Sequence, residues 1–144
     1  MKKLNEKGFT LIELLVVIAI IGLLSTLAVV SLGNARQKSR DARRLSDLKQ
    51  LQTALELYYT DQTAYPAGAA VTLGAGNYRC LNASGWGAPG CTSAYMGQVP
   101  ADPLSTQNYV YTAASSSYTV TATLETNMNG LTGGVTLSPS GIAD

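Results

Sequence analysis

The first third of the chain contains one long apolar run. From Leu14 to Ala35 there are 22 consecutive residues without a charged side chain, most of them Leu, Ile, Val or Ala. A helix of that length extends roughly 33 Å, and the hydrocarbon core of a bilayer is about 30 Å thick. The pattern therefore predicts a transmembrane helix. A cleaved secretory signal is the alternative, although the apolar part of such a signal usually has only about 7 to 15 residues.

Beyond this run the apolar positions become periodic. Leucine and tyrosine recur at spacings of three and four residues between Leu45 and Tyr59, and most charged residues lie between these positions. This period predicts an amphipathic continuation of the helix to about Thr60, with its apolar face packed on a sheet. Pro66 ends the pattern, because the residue before a proline is pushed toward extended conformations.

The C-terminal part has the alternation of β-strands. Apolar and polar side chains alternate from Tyr118 to Glu125, which predicts a strand with one buried face. We also expect strands at Tyr109–Thr112 and, after an Asn129-Gly130 turn, at Gly133–Leu137. The fold class predicted is α+β: a long N-terminal helix, transmembrane in its first half and amphipathic in its second, packed on a small antiparallel β-sheet of three to four strands.

The distribution of charge and the absence of histidine narrow the function. The chain has 144 residues and a formal net charge of +1, which argues against a strongly basic nucleic-acid binder. Fifteen of its nineteen charged residues lie in residues 1–61. With no histidine and only two cysteines, the zinc-binding and Ser/His/Asp or Cys/His catalytic sets are excluded. We expect no enzyme activity, no cofactor and no metal site.

One carboxylate lies inside an apolar context at the start of the helix. Glu13 follows Phe9, Thr10, Leu11 and Ile12. A charged side chain at the centre of a membrane helix costs about 2.5 to 3.5 kcal/mol on insertion scales. The carboxylate either reaches the membrane edge or pairs with a cation. Residues 8–35 contain no Lys or Arg, so a cationic partner would have to come from elsewhere.

The segment Lys7-Gly8-Phe9-Thr10-Leu11-Ile12-Glu13-Leu14 resembles the prepilin signature of type IV pilins and type II secretion pseudopilins. This resemblance implies that a prepilin peptidase cleaves after Gly8 and N-methylates Phe9. It also implies that Glu13 pairs with the amine of Phe9 on a neighbouring subunit during assembly. The implied organisation is a leader peptide at 1–8, a transmembrane and assembly helix at 9–35, an amphipathic continuation at 36–61 and a globular pilin head at 62–144.

The function expected from this resemblance is a structural subunit of a type IV pilus-like extracellular filament. Its partners would be copies of itself in a helical homo-oligomer, the prepilin peptidase, the pilus assembly platform with its ATPase, and minor pilins. The alternatives are the major pseudopilin of a type II secretion system and a membrane-anchored binding module. The secretion relative commonly has an acidic calcium loop near its C-terminus. Here only Asp144 follows Glu125, which favours a pilin.

The location expected is the cytoplasmic membrane, as a single-pass protein with its C-terminal domain outside, and then the extracellular pilus. Counting basic residues on the two sides of the apolar run favours the opposite orientation. The resemblance overrides that count. The two cysteines and the polar C-terminal part also suit an oxidising exterior.

Residues 67–107 are predicted to be a connection rich in Gly, Ala, Ser and Asn. Cys80 and Cys91 lie eleven positions apart in it. A disulfide between them would contribute on the order of 3 kcal/mol by restricting the unfolded chain. Two free thiols are the alternative. Trp86 lies within this loop and is expected to cover the small core.

Five basic residues lie between Arg36 and Arg44. A solvated helix flank with intersubunit ion pairs is the interpretation that the sequence favours. DNA binding is possible but not favoured, because no aromatic residues or recognition motif accompany the cluster.

Overall fold

The structure is a computed structural model that describes residues 8–144. The part of the predicted leader that precedes Gly8 lies outside the described residues. The chain divides between Arg36 and Gln37 into two compact units.

One α-helix, α1, extends over Leu11–Gln62. At its end Thr63 adopts a left-handed conformation with φ of 57°, and its N–H donates to the Tyr59 carbonyl at 2.8 Å. This closes the last turn before Pro66. The predicted helix and its termination ahead of the proline are therefore confirmed.

The first unit presents an apolar surface to its surroundings. The large apolar side chains from Phe9 to Leu32 are all exposed, between 48% and 88% of each. The most apolar 18-residue window has a mean hydropathy of 2.8, and none of it is buried within the structure. The helix is therefore long and apolar enough to cross a membrane.

The second unit contains eight β-strands. In chain order they are β1 Gly68–Thr72, β2 Cys80–Asn82, β3 Gly85–Gly87, β4 Ala94–Met96, β5 Val110–Ala114, β6 Ser117–Thr123, β7 Gly134–Ser138 and β8 Gly141–Ala143. Five of them form an antiparallel sheet in the order β1-β5-β6-β7-β8, and three form a smaller sheet in the order β3-β2-β4. The α+β fold with an antiparallel sheet is confirmed.

Two details of the prediction are wrong. The main sheet has five strands rather than three or four, and residues 67–107 contain β1 to β4 rather than only a connection. These extra strands have three to five residues each. Segments so short and so rich in Gly, Ala and Ser show no readable alternation, and pairing with their neighbours defines them.

The core of the second unit lies between α1 and the inner face of the main sheet. Leu48, Leu51 and Leu55 of the helix are fully buried, at the spacing that the periodicity predicts. Strand β6 alternates exposed and buried positions over its seven residues, which confirms the predicted period of two. The buried side chains of the main sheet are Tyr111, Tyr118, Val120, Ala122, Val135 and Leu137.

The turn before β7 forms as its sequence predicts. Asn129 and Gly130 both have positive φ, at 54° and 83°. Met128 and Leu131 exchange two backbone hydrogen bonds of 3.0 and 2.9 Å across them. A two-residue turn with two positive φ angles is the type that Asn-Gly favours.

We predict that Leu51→Ala destabilises the second unit by about 2 to 5 kcal/mol, because it leaves a cavity between the helix and the sheet. Leu57→Ala is the matched control, since Leu57 lies on the same helix and is 52% exposed. Thermal unfolding of the full chain in a non-ionic detergent, followed by Trp86 fluorescence, measures both. Equal losses in the two variants would contradict this core.

Candidate functional site

The predicted processing residues lie just before the helix. Gly8 and Phe9 have no helical conformation, and both are exposed, with Phe9 88% accessible. Among residues 8–144, no atom beyond the adjacent residue lies within 4 Å of the position that a Cβ on Gly8 would take. The peptide bond between these residues is therefore open to an enzyme from solvent or from the membrane surface.

Glu13 forms a capping box with Thr10. The Glu13 carboxylate accepts the backbone N–H of Thr10 at 2.8 Å and its hydroxyl at 2.7 Å. In return the Thr10 hydroxyl oxygen accepts the N–H of Glu13 at 3.3 Å. A Thr three residues before a Glu is the sequence pattern of this motif, and it satisfies donors that a helix N-terminus otherwise leaves free.

The capping box provides hydrogen bonds for Glu13 but no opposite charge. Among residues 8–144, no Lys or Arg forms an ion pair with it. Within residues 8–144 the structure therefore brings Thr10 and Glu13 together, and the pairing of Glu13 with the amine of a neighbouring subunit stays a prediction.

A second polar site lies between α1 and the loops of the second unit, with Arg44 at its centre. The Arg44 side chain has no solvent exposure. Its Nε and Nη2 each donate to one oxygen of Asp102 at 2.8 Å, and its Nη1 donates to Asp41 and to Glu125, also at 2.8 Å. One guanidinium group therefore joins three carboxylates.

The three carboxylates have further donors. Arg40 donates from Nε and Nη2 to the two oxygens of Glu125, at 2.7 and 2.5 Å. Asp41 accepts the N–H groups of Glu125 and Thr126 at 2.9 and 2.8 Å, and the Thr126 hydroxyl at 2.7 Å. We call Arg40, Asp41, Arg44, Asp102 and Glu125 the arginine network. It joins the helix to the segment that follows β6 and to the turn around Asp102.

The charged groups of the arginine network shift one another's pKa values. Hydrogen bonds from Arg40 and Arg44 lower the pKa of Glu125 to about 2. Burial alone would raise the pKa of Asp41, but the hydrogen bonds from Glu125, Thr126 and Arg44 outweigh it and the pKa is lowered. The bond to Asp102 and the other carboxylates raise the pKa of Arg44. Asp41, Arg44 and Glu125 are therefore ionised at neutral pH.

The arginine network corrects the interpretation of the basic cluster at residues 36–44. Three of its five members bind carboxylates of their own chain: Arg40 and Arg44 within the arginine network, and Arg43, whose Nε lies 3.9 Å from Asp47. Asp102 belongs to the Pro100-Ala101-Asp102-Pro103 turn, and its carboxylate also accepts the N–H of Leu104 at 2.8 Å.

A close backbone approach sets the position of this turn. Gly74 has a φ of +74°, and a Cβ there would lie 2.7 Å from the Cβ of Ala101. A side chain at this position is therefore disfavoured both by the positive φ and by the contact with Ala101, so glycine is required. It lets the loop after β1 pack against the residue next to Asp102.

The two cysteines are joined. Cys80, in β2, and Cys91 form a disulfide with their Cα atoms 6.3 Å apart, so the free-thiol alternative does not hold. Trp86, in β3, meets Tyr111 of the main sheet edge to face, with ring centroids 5.0 Å apart. The small sheet therefore covers the core, as the sequence predicts for Trp86.

Comparisons with known proteins identify the family. Residues 3–29 match the model of the prokaryotic N-terminal methylation motif. Residues 31–135, well over half of the chain, match the model of protein G of the type II secretion system. The chain belongs to the type II secretion system protein G family. The resemblance to prepilins and pseudopilins is thereby confirmed.

Individual relatives agree with this family. A region of 66 residues is 39% identical to the type II secretion system core protein G of Aeromonas hydrophila and covers 46% of each chain. A region of 62 residues is 40% identical to that of Escherichia coli and covers 43% of each chain. In Pseudomonas aeruginosa the identity is 32% over 108 residues, covering 72% of this chain and 71% of the relative.

The alignments thus span a little under half the length of the first of these curated relatives. No solved structure gives a significant match. These comparisons favour the secretion alternative stated from the sequence over the type IV pilus subunit, which they support only through the wider family.

The calcium ion that the resemblance to secretion pseudopilins implies near the C-terminus does not fit the acids present here. Both oxygens of Glu125 accept hydrogen bonds from arginines, and Asp144 accepts the N–H and hydroxyl of Thr132. Within residues 8–144, no group of three or more His, Cys, Asp or Glu has the arrangement of a metal site. Calcium requires six to eight oxygen ligands.

The lowered pKa of Glu125 predicts a specific acid sensitivity. A carboxylate with a lowered pKa in the folded state stabilises the fold above its unfolded value, about 4.5, and loses this contribution as the pH falls toward about 2. We therefore expect Glu125→Gln to lower the Tm of the full chain at pH 6. The difference from the original protein should shrink as the pH is lowered through this range. Parallel melting curves at every pH would contradict the ion pairs of Glu125.

Proposed function

We propose that this chain is the major pseudopilin of a type II secretion system. In this proposal it is a structural subunit that a prepilin peptidase processes after Gly8 and that polymerises through its N-terminal helix. The observation that carries the proposal is the match to the protein G model over residues 31–135, directly following a methylation motif at residues 3–29. A filament subunit needs no reaction centre, and we propose that it has no enzyme activity.

The proposed processing rests on the exposed backbone at Gly8. A membrane peptidase must take its substrate in an extended conformation and approach the backbone closely, which a glycine permits. Removal of residues 1–8 would create a new amine on Phe9. That amine is the cation that the segment from residue 8 to residue 35 does not itself contain.

The proposed assembly rests on the charge of Glu13 and on the apolar surface around it. An ionised carboxylate in lipid costs free energy, and the Thr10 donors are neutral. The Phe9 amine of the adjacent copy would neutralise it. The exposed side chains between Phe9 and Leu32 need either lipid or other helices as their surroundings. In the stored subunit these side chains contact lipid, and in the filament they contact copies of the same helix.

The proposed partners and location follow from this cycle. The subunit is inserted in the cytoplasmic membrane with residues 37–144 outside, where the disulfide is stable. It then passes to an assembly platform driven by an ATPase and joins a homo-oligomeric helical filament that minor pseudopilins accompany. The exposed basic residues Arg36 and Lys38 remain available for acids of neighbouring subunits.

The second candidate is a type IV pilin, favoured by the near absence of acids after Glu125. The two candidates differ in the phenotype expected when this protein is deleted from the cell. Loss of exported proteins from the medium with surface pili unchanged indicates the pseudopilin. Loss of surface pili with export unchanged indicates the pilin.

Processing predicts the mass of the assembled subunit. We expect mass spectrometry of purified filaments to show a chain that begins at Phe9 and carries one additional methyl group on its amine. A Gly8→Ala variant should accumulate as the uncleaved form in the membrane, because a side chain hinders the approach of the peptidase. Filaments built from chains that retain Met1 would contradict the proposal.

The role of Glu13 predicts a selective loss of assembly. Glu13→Gln should reduce filament formation and export at least roughly tenfold, since the neutral amide cannot pair with the amine of Phe9. Asp61→Asn is the matched control, because it removes a carboxylate from the same helix at an exposed position. Both variants should insert in the membrane in equal amounts, as measured by immunoblot of membrane fractions. Normal assembly of Glu13→Gln would contradict this role of Glu13.

A further inference from the structure

The arginine network has the geometry of a filled cation site. Nη1 of Arg44 lies 2.8 Å from one oxygen of Asp41 and 2.8 Å from one oxygen of Glu125. Nε and Nη2 hold the two oxygens of Asp102 at the same distance. Calcium binds carboxylate oxygens at about 2.3 to 2.6 Å. A single buried positive group therefore gathers three carboxylates much as a bound divalent ion does.

We propose that Arg44 replaces a structural calcium ion in this protein, so that the head folds and stays folded without calcium. The proposal rests on membership of the protein G family but not on processing or filament assembly. Its failure would therefore leave the proposed function untouched.

Every oxygen of the three carboxylates is occupied. Arg40 and Arg44 supply positive charge to Glu125, while Arg44 serves Asp41 and Asp102 as well. Two guanidinium groups donate to the three carboxylates, and neutral donors form additional hydrogen bonds to Asp41 and Asp102. These donors are the N–H groups of Leu104, Glu125 and Thr126 and the hydroxyl of Thr126. A calcium ion would find no free carboxylate oxygen here.

The positions joined by Arg44 show why such a replacement stabilises the head. Asp41 and Arg44 are on the helix, Asp102 is in the turn before β5, and Glu125 follows β6. The side chains of Arg44, Asp41 and Asp102 are at most 1% exposed. Removal of the cation would leave buried carboxylates facing one another, which is strongly unfavourable.

The experiment compares the Tm of the full chain in non-ionic detergent with EGTA and with millimolar calcium chloride, the concentration that extracellular calcium modules need. We expect the same Tm within about 2 °C in both solutions. A rise of more than about 5 °C with calcium would overturn the proposal, because it would show that a calcium site exists beside the arginine network.

A variant then tests whether Arg44 has the role of a cation. Arg44→Ala should lower the Tm in EGTA by at least roughly 10 °C. Arg43→Ala is the control, since it removes the same charge at the next position, where the side chain is 64% exposed. It should change the Tm by less than about 3 °C.

Calcium should partly restore Arg44→Ala, because the shorter side chain leaves three carboxylates facing an open space. Potassium chloride at the same ionic strength should not. If the variant folds only when calcium is present, the proposal is supported equally. If calcium and potassium act alike, or the variant stays unfolded in both, Arg44 is an ordinary ion-pair residue and the proposal is wrong.

Discussion

A carboxylate in an apolar helix is the constraint on which the N-terminal part of this protein depends. Glu13 lies at the start of a segment that is otherwise suited to lipid, and its charge must be compensated wherever the segment is placed. Within one chain, Thr10 supplies two hydrogen bonds to it and no charge. In the proposed cycle these bonds let the membrane hold the free subunit, and a cation from a second subunit would still be favourable. This difference is what drives the proposed assembly.

The carboxylates of the second unit also need their charge compensated, but here the compensation lies within the chain. Its buried carboxylates are compensated inside the chain by Arg40 and Arg44. Every carboxylate oxygen in the arginine network accepts a hydrogen bond, so the helix, the Asp102 turn and the end of β6 are held in one arrangement. The carboxylate of Glu13, by contrast, has no cationic partner among residues 8–144.

Local patterns were sufficient to predict the elements with a strong period. The helix to Gln62, the alternation in β6 and the Asn129-Gly130 turn each depend on neighbouring residues and were readable from the sequence. The arginine network was not, because Arg44 is separated by 58 residues from Asp102 and by 81 from Glu125. From the sequence alone, a cluster of charged residues on a helix indicates a solvated surface, because the distant acids that pair with it in the fold are not known. The roles of Gly8, Phe9 and Glu13 came from a motif, and the structure of a single chain contains only half of that interaction.

The most direct test is the structure of the native filament, determined at a resolution that separates side chains. The account predicts that the Glu13 carboxylate of each copy lies within about 3 Å of the methylated Phe9 nitrogen of an adjacent copy. A filament in which Glu13 remains bound to its own Thr10, with no neighbouring amine in contact, would contradict it.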